Sequence, residues 1–233
     1  MLYNPIDSSD ESSFDEEDEV FMKETSDTVA SVVPEIFPSS ISIVAEKHCQ
    51  LHYAPIHRLP KDILVKCLLL VESNLKAFYI KHQGLRWKLN KLKEMQETGL
   101  IYVWYTDSNG KLIGFISFML SYNDQYKVLY LYEIHVAAEY QSKKIGSQLI
   151  DNLHELSHHL KVIASKKHEY RHFVNSGTSL TVFSDNKALQ WYYKLGYELT
   201  MDSPRDKVLR NKVVRPEYYL LIRFNDSLPK KHT

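Results

Sequence analysis

Cysteine is almost absent from this 233-residue chain: only Cys49 and Cys67 occur. Two cysteines without secretory context exclude a disulfide framework and imply reduced thiols. No apolar run approaches the length of a membrane span, and no signal-peptide core opens the chain. A membrane partner is therefore not expected, and the expected setting is cytoplasm and nucleus. Glycine is scarce at seven residues. Neither a Walker P-loop nor Gly-x-Gly-x-x-Gly is present, which removes the common nucleotide cradles. The histidines and cysteines nowhere adopt zinc-ligand spacing, so no metal is expected.

Charge is present in balance but is unevenly placed. Residues 1–30 hold ten acids and a single base, Lys23, whereas the remainder is net basic. The first 38 residues are also rich in serine and poor in periodic pattern. They read as a disordered acidic tail, followed by a folded domain over 39–225 and a flexible C-terminus over 226–233.

Within the domain, Ile41–Ala45 reads as a short strand. Pro60 precedes a helical pattern from Lys61 to about Tyr79, with Asp62 in its first turn. Gly84 breaks it. A second helix runs from Trp87 to about Glu97, with Lys88, Lys91 and Lys93 read as exposed. Three consecutive strands follow: Leu100–Tyr105, Leu112–Leu120 and Lys127–Val136. Asp107-Ser108-Asn109-Gly110 makes the first hairpin turn. A helix from about Lys144 to Leu160 presents Ile145, Leu149, Ile150, Leu153 and Leu156 on one face. Residues 161–177 read as a long basic loop or a helix extension. A strand at Ser179–Phe183, a helix at Lys187–Leu195, a turn into strand at Gly196–Leu199 and a last strand at Tyr218–Ile222 complete the order. An antiparallel meander followed by strand–helix–strand units predicts an α+β fold: a mixed, mainly antiparallel sheet flanked by helices.

Two features carry chemistry. The strand ending at Val136 feeds a polar loop, Gln141-Ser142-Lys143-Lys144-Ile145-Gly146-Ser147, that opens a helix. The first turn of a helix has unpaired N–H groups and a partial positive charge, and so can hold a phosphate. An ordinary strand–helix connection would look the same. The second feature is Glu133, an acid in the middle of an apolar and aromatic strand. On regular alternation Leu131, Glu133 and His135 share one face, and Tyr130, Tyr132 and Ile134 the other. A structural acid paired with a nearby Lys or Arg is the alternative for Glu133.

Taken together, residues 40–222 resemble the GNAT superfamily of acetyl-CoA-dependent N-acetyltransferases. The superfamily's coenzyme motif, Arg/Gln-x-x-Gly-x-Gly/Ala, corresponds to Gln141 through Gly146, with Lys144 standing where the first glycine is expected. The late motif Asn-x-x-Ala-x-x-x-Tyr-x-x-x-Gly-Phe corresponds to Asn186 through Tyr197. Asn186 lies one residue closer to Ala188 than that motif asks, so the motif tyrosine is Tyr192 or Tyr193. A narrower similarity is to NatD-type N-terminal acetyltransferases. Tyr130–Ala137, Leu180–Asn186, the Trp87-Lys88-x-x-Lys91-Leu92-x-Glu94-Met95 segment and the Asn74-x-x-x-Phe78-Tyr79 helix end carry it.

This resemblance implies acetyl transfer from a thioester to an N-terminal α-amine, with acetyl-CoA as co-substrate. It implies Glu133 and Tyr192 as catalytic residues, and Tyr79, Tyr132 and Asp124 as substrate contacts. Asp124 enters as a stand-in, because the family's peptide-binding aspartate corresponds to Ser121. For the coenzyme it implies Ile134, His135, Val136, Gln141–Ser147 (Ser142, Lys143, Lys144, Ile145 and Gly146 between them) and Asn186. Histone N-terminal peptides starting Ser-Gly-Arg-Gly are the implied substrates; a ribosome or nascent-chain partner is left open. A monomer without a nucleic-acid site is expected. Action on a lysine or small amine, and a non-catalytic acetyl-CoA-binding module, are the alternatives. Core packing is the alternative for Tyr192.

Overall fold

A computed structural model describes residues 9–41, 49–123 and 125–226. The elements in chain order are α1 (Ser9–Ile36), β1 (Gln50–Pro55), α2 (Lys61–Gln83), α3 (Trp87–Glu94), β2 (Ile101–Thr106), β3 (Leu112–Asn123) and β4 (Tyr126–Val136). They continue with α4 (Ile145–Lys166), β5 (Gly177–Phe183), α5 (Ala188–Lys194), β6 (Glu198–Leu199), β7 (Lys207–Leu209), β8 (Lys212–Val214) and β9 (Tyr218–Phe224). The main sheet has the order β1-β2-β3-β4-β5-β9-β6. Every pairing in it is antiparallel except β4 with β5. The mixed, mainly antiparallel α+β architecture is as expected.

The helix α1 corrects the expectation of a structureless tail. Residues 16–20 are exposed, as the acid run requires, but the second half buries Ser26, Val29, Ala30 and Val33, and Phe37 follows them into the core. These positions recur at helical spacing, so one stripe of α1 joins the core while the stretch 16–20 stays in water. Asp27 pairs with Arg58 at 2.6 Å, tying the helix to the segment after β1. Phe37 stacks on Phe118 of β3, with ring centroids 6.5 Å apart. Phe37→Ala should therefore cost about 3–5 kcal/mol, the range for deleting a buried phenyl ring. Urea unfolding of the full chain measures it; a dispensable tail would show no change.

Other differences are local. The strand expected at 41–45 lies outside the described residues except for Ile41, and β1 at 50–55 pairs with β2 in its place. The sequence hides β1 because it is a half-exposed edge ending in proline. The region at 161–177 resolves into the end of α4 and a 3-10 turn at His168–Phe173, which buries Phe173. β7 and β8 form a separate, wholly exposed ribbon. The expected flexible C-terminus lies outside the described residues apart from Asp226.

Two irregularities in the sheet give the molecule its cleft and the chemistry of its walls. Ser117 pairs with Glu133 and Phe118 with Leu131, so Tyr132 is an extra residue, a β-bulge in β4. Adjacent residues on β3 face opposite ways, so their partners Glu133 and Leu131 do too. This corrects the regular alternation expected: Leu129 and Leu131 share one face, and Glu133 and His135 share the other. The second irregularity is that β4 and β5 pair only through Leu129–Leu131 and Thr178–Leu180. Both strands run on past those residues without pairing, and a wedge opens between them.

Candidate active site

The wedge is a cleft of about 700 Å³. β4 lines it from Tyr130 to His135, β5 from Leu180 to Phe183, and α2 supplies Leu75 and Tyr79. Lys91 and Glu94 of α3, Tyr192 of α5, and Glu217 and Tyr218 at the start of β9 add to the wall. A cleft between splayed parallel strands exposes one backbone edge of each, which suits an extended ligand that borrows strand hydrogen bonds.

Glu133 sits at its base and is buried. Its Oε1 accepts from Lys91 Nζ at 2.8 Å and from Tyr79 Oη at 3.4 Å; its Oε2 accepts from His135 Nε2 at 2.7 Å. Burial by itself would raise this carboxyl. The Lys91 charge and the His135 hydrogen bond outweigh burial and hold it well below the usual carboxylate range. The sequence pattern places Lys91 in solvent, and the structure corrects that: its side chain is only 4% accessible. Burial pulls the ammonium's pKa down, but the charge of Glu133 more than reverses this and holds Lys91 protonated. Its second carboxylate is Glu94, at 2.7 Å, and it lies 4.9 Å from the centre of the Tyr79 ring. Tyr79 in turn stacks on Trp87 at 4.8 Å.

Reasoning from sequence missed Lys91 and Glu94 as site residues. Their signal was present: Trp87, Lys91, Glu94 and Met95 share helical spacing, and Trp87, Lys91 and Met95 are buried. Burial raises the Glu94 carboxyl, whereas Glu133 is lowered. Two acids sharing one ammonium are thereby driven apart in acidity.

Tyr132 lines the cleft with its ring edge-on to Tyr130 at 5.3 Å, and burial pushes its hydroxyl up to about 12. Ser121, at the expected aspartate position, also lines it. Asp124 lies outside the described residues. Tyr192 lines the cleft and is buried, with burial holding its hydroxyl protonated far into the alkaline range. Tyr193 is not among the lining residues. Asn186 lines it too, and its Oδ1 accepts from the backbone N–H of Ala188 at 2.9 Å, so it caps the entry to α5.

The loop at 141–147 keeps a glycine-like backbone without glycine. Ser142 has φ 60° and Lys144 φ 64°, both left-handed. Holding non-glycine residues there costs of order 1–3 kcal/mol each, a strain that clusters at ligand sites. The loop delivers Ile145, Gly146 and Ser147 as the first turn of α4. Gln141 is anchored: its Nε2 donates to Val136 O at 3.0 Å and to Asn74 Oδ1 at 3.3 Å. The Val136 carbonyl also accepts from Asn74 Nδ2 at 3.2 Å. That carbonyl is doubly occupied, so Val136 has no acceptor to offer a ligand. Among the described residues no cluster of acids, histidines and cysteines could hold a metal ion.

Residues 97–199, which span the meander, the wedge and the loop, match the acetyltransferase (GNAT) domain family. That stretch is a little under half of the chain. The chain is similar to N-alpha-acetyltransferase 40 of Saccharomyces cerevisiae, with 34% identity over 192 residues, taking in 74% of this chain and 64% of that protein. The chain thus spans a little under two thirds of that relative's length. A solved protein of Pyrococcus horikoshii OT3 shares the fold at 15% identity and a TM-score of 0.50, covering 75% of this chain and 98% of that one. The PaiA N-acetyltransferase of Thermoplasma acidophilum, solved in complex with coenzyme A, aligns at 14% identity and a TM-score of 0.46, over 76% of this chain and 99% of that one.

Proposed function

We propose that this chain transfers the acetyl group of acetyl-CoA to the α-amine at a protein N-terminus. The similarity to N-alpha-acetyltransferase 40 carries the reading, and the wedge between β4 and β5 supports it. Acetyl-CoA would lie along the β4 edge beyond Leu131, with its pyrophosphate at the N–H groups of 142–147 and the first turn of α4. The amine would enter from the side of Tyr79, Tyr132 and Glu133.

An α-amine has a pKa of about 7.7–8.0 and is partly neutral near pH 7. A carboxyl held as low as Glu133 is a poor proton acceptor but a good fixed charge. Its contribution is to stabilise the positive charge that grows on the nitrogen as it attacks the thioester, and to orient a water that carries the proton away. Backbone N–H groups of β4 that β5 leaves unpaired would receive the oxyanion. Tyr192, held protonated, would donate to the departing thiolate.

For substrate we propose a histone N-terminal peptide of the Ser-Gly-Arg-Gly kind, met in cytoplasm or nucleus. The folded part is net basic, yet among the described residues lining the cleft Glu94, Glu133 and Glu217 stand against Lys91 alone. That local excess of negative charge suits an arginine-bearing peptide even with Ser121 in place of an aspartate. The test compares lysine-containing peptides that start Ser-Gly-Arg-Gly, with a free and a blocked α-amine. Acetylation of the free form alone is expected; acetylation of the blocked form would move the reading to lysine side chains.

A further inference from the structure

We infer that Asn74 is a positioning residue: it fixes which ring nitrogen of His135 carries the proton, and so aims Glu133 from the loop side of the site. The functional part of this inference rests on the acetyl-transfer reading above. Its starting point is the Val136 carbonyl, a group that can only accept. It takes one hydrogen from Asn74 Nδ2 at 3.2 Å and one from Gln141 Nε2 at 3.0 Å. The amino side of Asn74 must therefore face β4, which leaves its Oδ1 toward Gln141, 3.3 Å away.

The same Asn74 amino group lies 3.3 Å from His135 Nδ1. A donor facing that nitrogen requires it to accept. The proton of the neutral ring then sits on Nε2, and Nε2 donates to Glu133 Oε2 at 2.7 Å. The bonds run in one direction, from Gln141 through Asn74 and His135 to Glu133, and reversing any one of them breaks its neighbour. His135 is thus a clamp on the carboxylate. The far end of the chain is Gln141, the first residue of the loop that opens α4. A coenzyme that settles this loop would settle Glu133 by the same network.

Asn74→Asp tests the polarity without changing the shape. A carboxylate has no hydrogen for the Val136 carbonyl or for His135 Nδ1. It demands an Nδ1–H, which either moves the ring proton away from Glu133 or makes the ring a cation. Nitrogen NMR of histidine-labelled full chain should show His135 protonated at Nε2 alone in the wild type, and at Nδ1 in the variant. Turnover on a free-amine peptide should fall about 10- to 100-fold, with the acetyl-CoA KM moving by less than about threefold. A wild-type His135 carrying its proton on Nδ1 overturns the inference, and needs no variant to fold. Wild-type turnover in a folded Asn74→Asp overturns the positioning role while the acetyltransferase reading stands. A wild-type chain with the Nε2 proton and no acetyl transfer does the opposite: the clamp stands and the enzymatic reading falls.

Discussion

Glu133→Gln should reduce turnover on an N-terminal peptide by about two to four orders of magnitude, the range for a group that manages charge and proton at the reacting atom. It should also cost stability, which a surface carboxylate would not. Glu133 receives hydrogens from three directions: Lys91, Tyr79 and His135. A carboxylate satisfies all of them because it only accepts. An amide offers one oxygen and one NH2 group. With its oxygen toward Lys91, the NH2 group meets the Nε2–H of His135; flipped, it meets the ammonium. Either way Lys91 loses its compensating charge in a buried setting. Removing one partner of a buried pair costs about 3–5 kcal/mol. Acetyl-CoA affinity, measured by calorimetry on the folded fraction, should stay near that of the wild type. Unchanged turnover would mean that the reacting amine is served elsewhere, with Glu94 the next group to examine.

Lys91→Met attacks the same pair from the other side, and its signature is a reversed pH dependence. In the wild type, the folded state holds Glu133 below its unfolded pKa. That contribution is complete above the ordinary carboxylate range and is lost as pH falls through the lowered folded value. Without the ammonium, the largest remaining influence on Glu133 is burial, which favours the neutral acid. Its folded pKa then exceeds the unfolded one. The sign changes: the variant should be more stable in mild acid and lose stability as pH rises through the raised value. The acid limb of its pH–rate profile should move to higher pH, since the carboxylate form appears later. Urea midpoints from pH 4 to 8 check the first claim, and kcat over the same range the second. A profile parallel to the wild type would show that Lys91 does not set the charge state of Glu133. The loss at neutral pH should again reach about 3–5 kcal/mol.

Much of the fold was legible because strong local signals agreed with the final packing. The Asn-Gly turn, the three strands around it and the apolar stripe of α4 all appear where the pattern places them. What escaped was structure whose pattern is diluted. In α1 the apolar stripe occupies only the second half, and a run of acids in the first half dominates the composition. β1 is an edge, and β7 and β8 are exposed throughout, so none carries the alternation that burial imposes.

The strand beside the cleft and the loop that opens α4 could be read because Glu133 is out of place chemically and Gln141–Ser147 follows a motif. Lys91 was overlooked, because a lysine on an amphipathic helix ordinarily points to water, and its spacing with Trp87 and Met95 marks a shared face without saying what that face meets. Only the three-dimensional approach of α3 to β4 makes it a counter-ion. Lys144 teaches the converse. Sequence offers no glycine there, yet the backbone adopts the glycine conformation at φ 64°. Loop geometry is enforced by what surrounds it, here the Gln141 anchor and the start of α4, over the residue's own preference.

The extra residue at Tyr132 acts like a phase shift in a two-letter code. Before it, β4 spells its apolar side toward one layer of helices; after it, the same alternation addresses the other. One strand thus serves two customers: Leu129 and Leu131 belong to the core, Glu133 and His135 to the polar base of the cleft. Closing the count by inserting one residue in β3 opposite Tyr132 would leave every side chain chemically intact. It would turn the carboxylate and imidazole into a layer holding neither Lys91 nor Asn74. The chemical identity of this cleft therefore resides in a length, one residue long, as much as in any functional group.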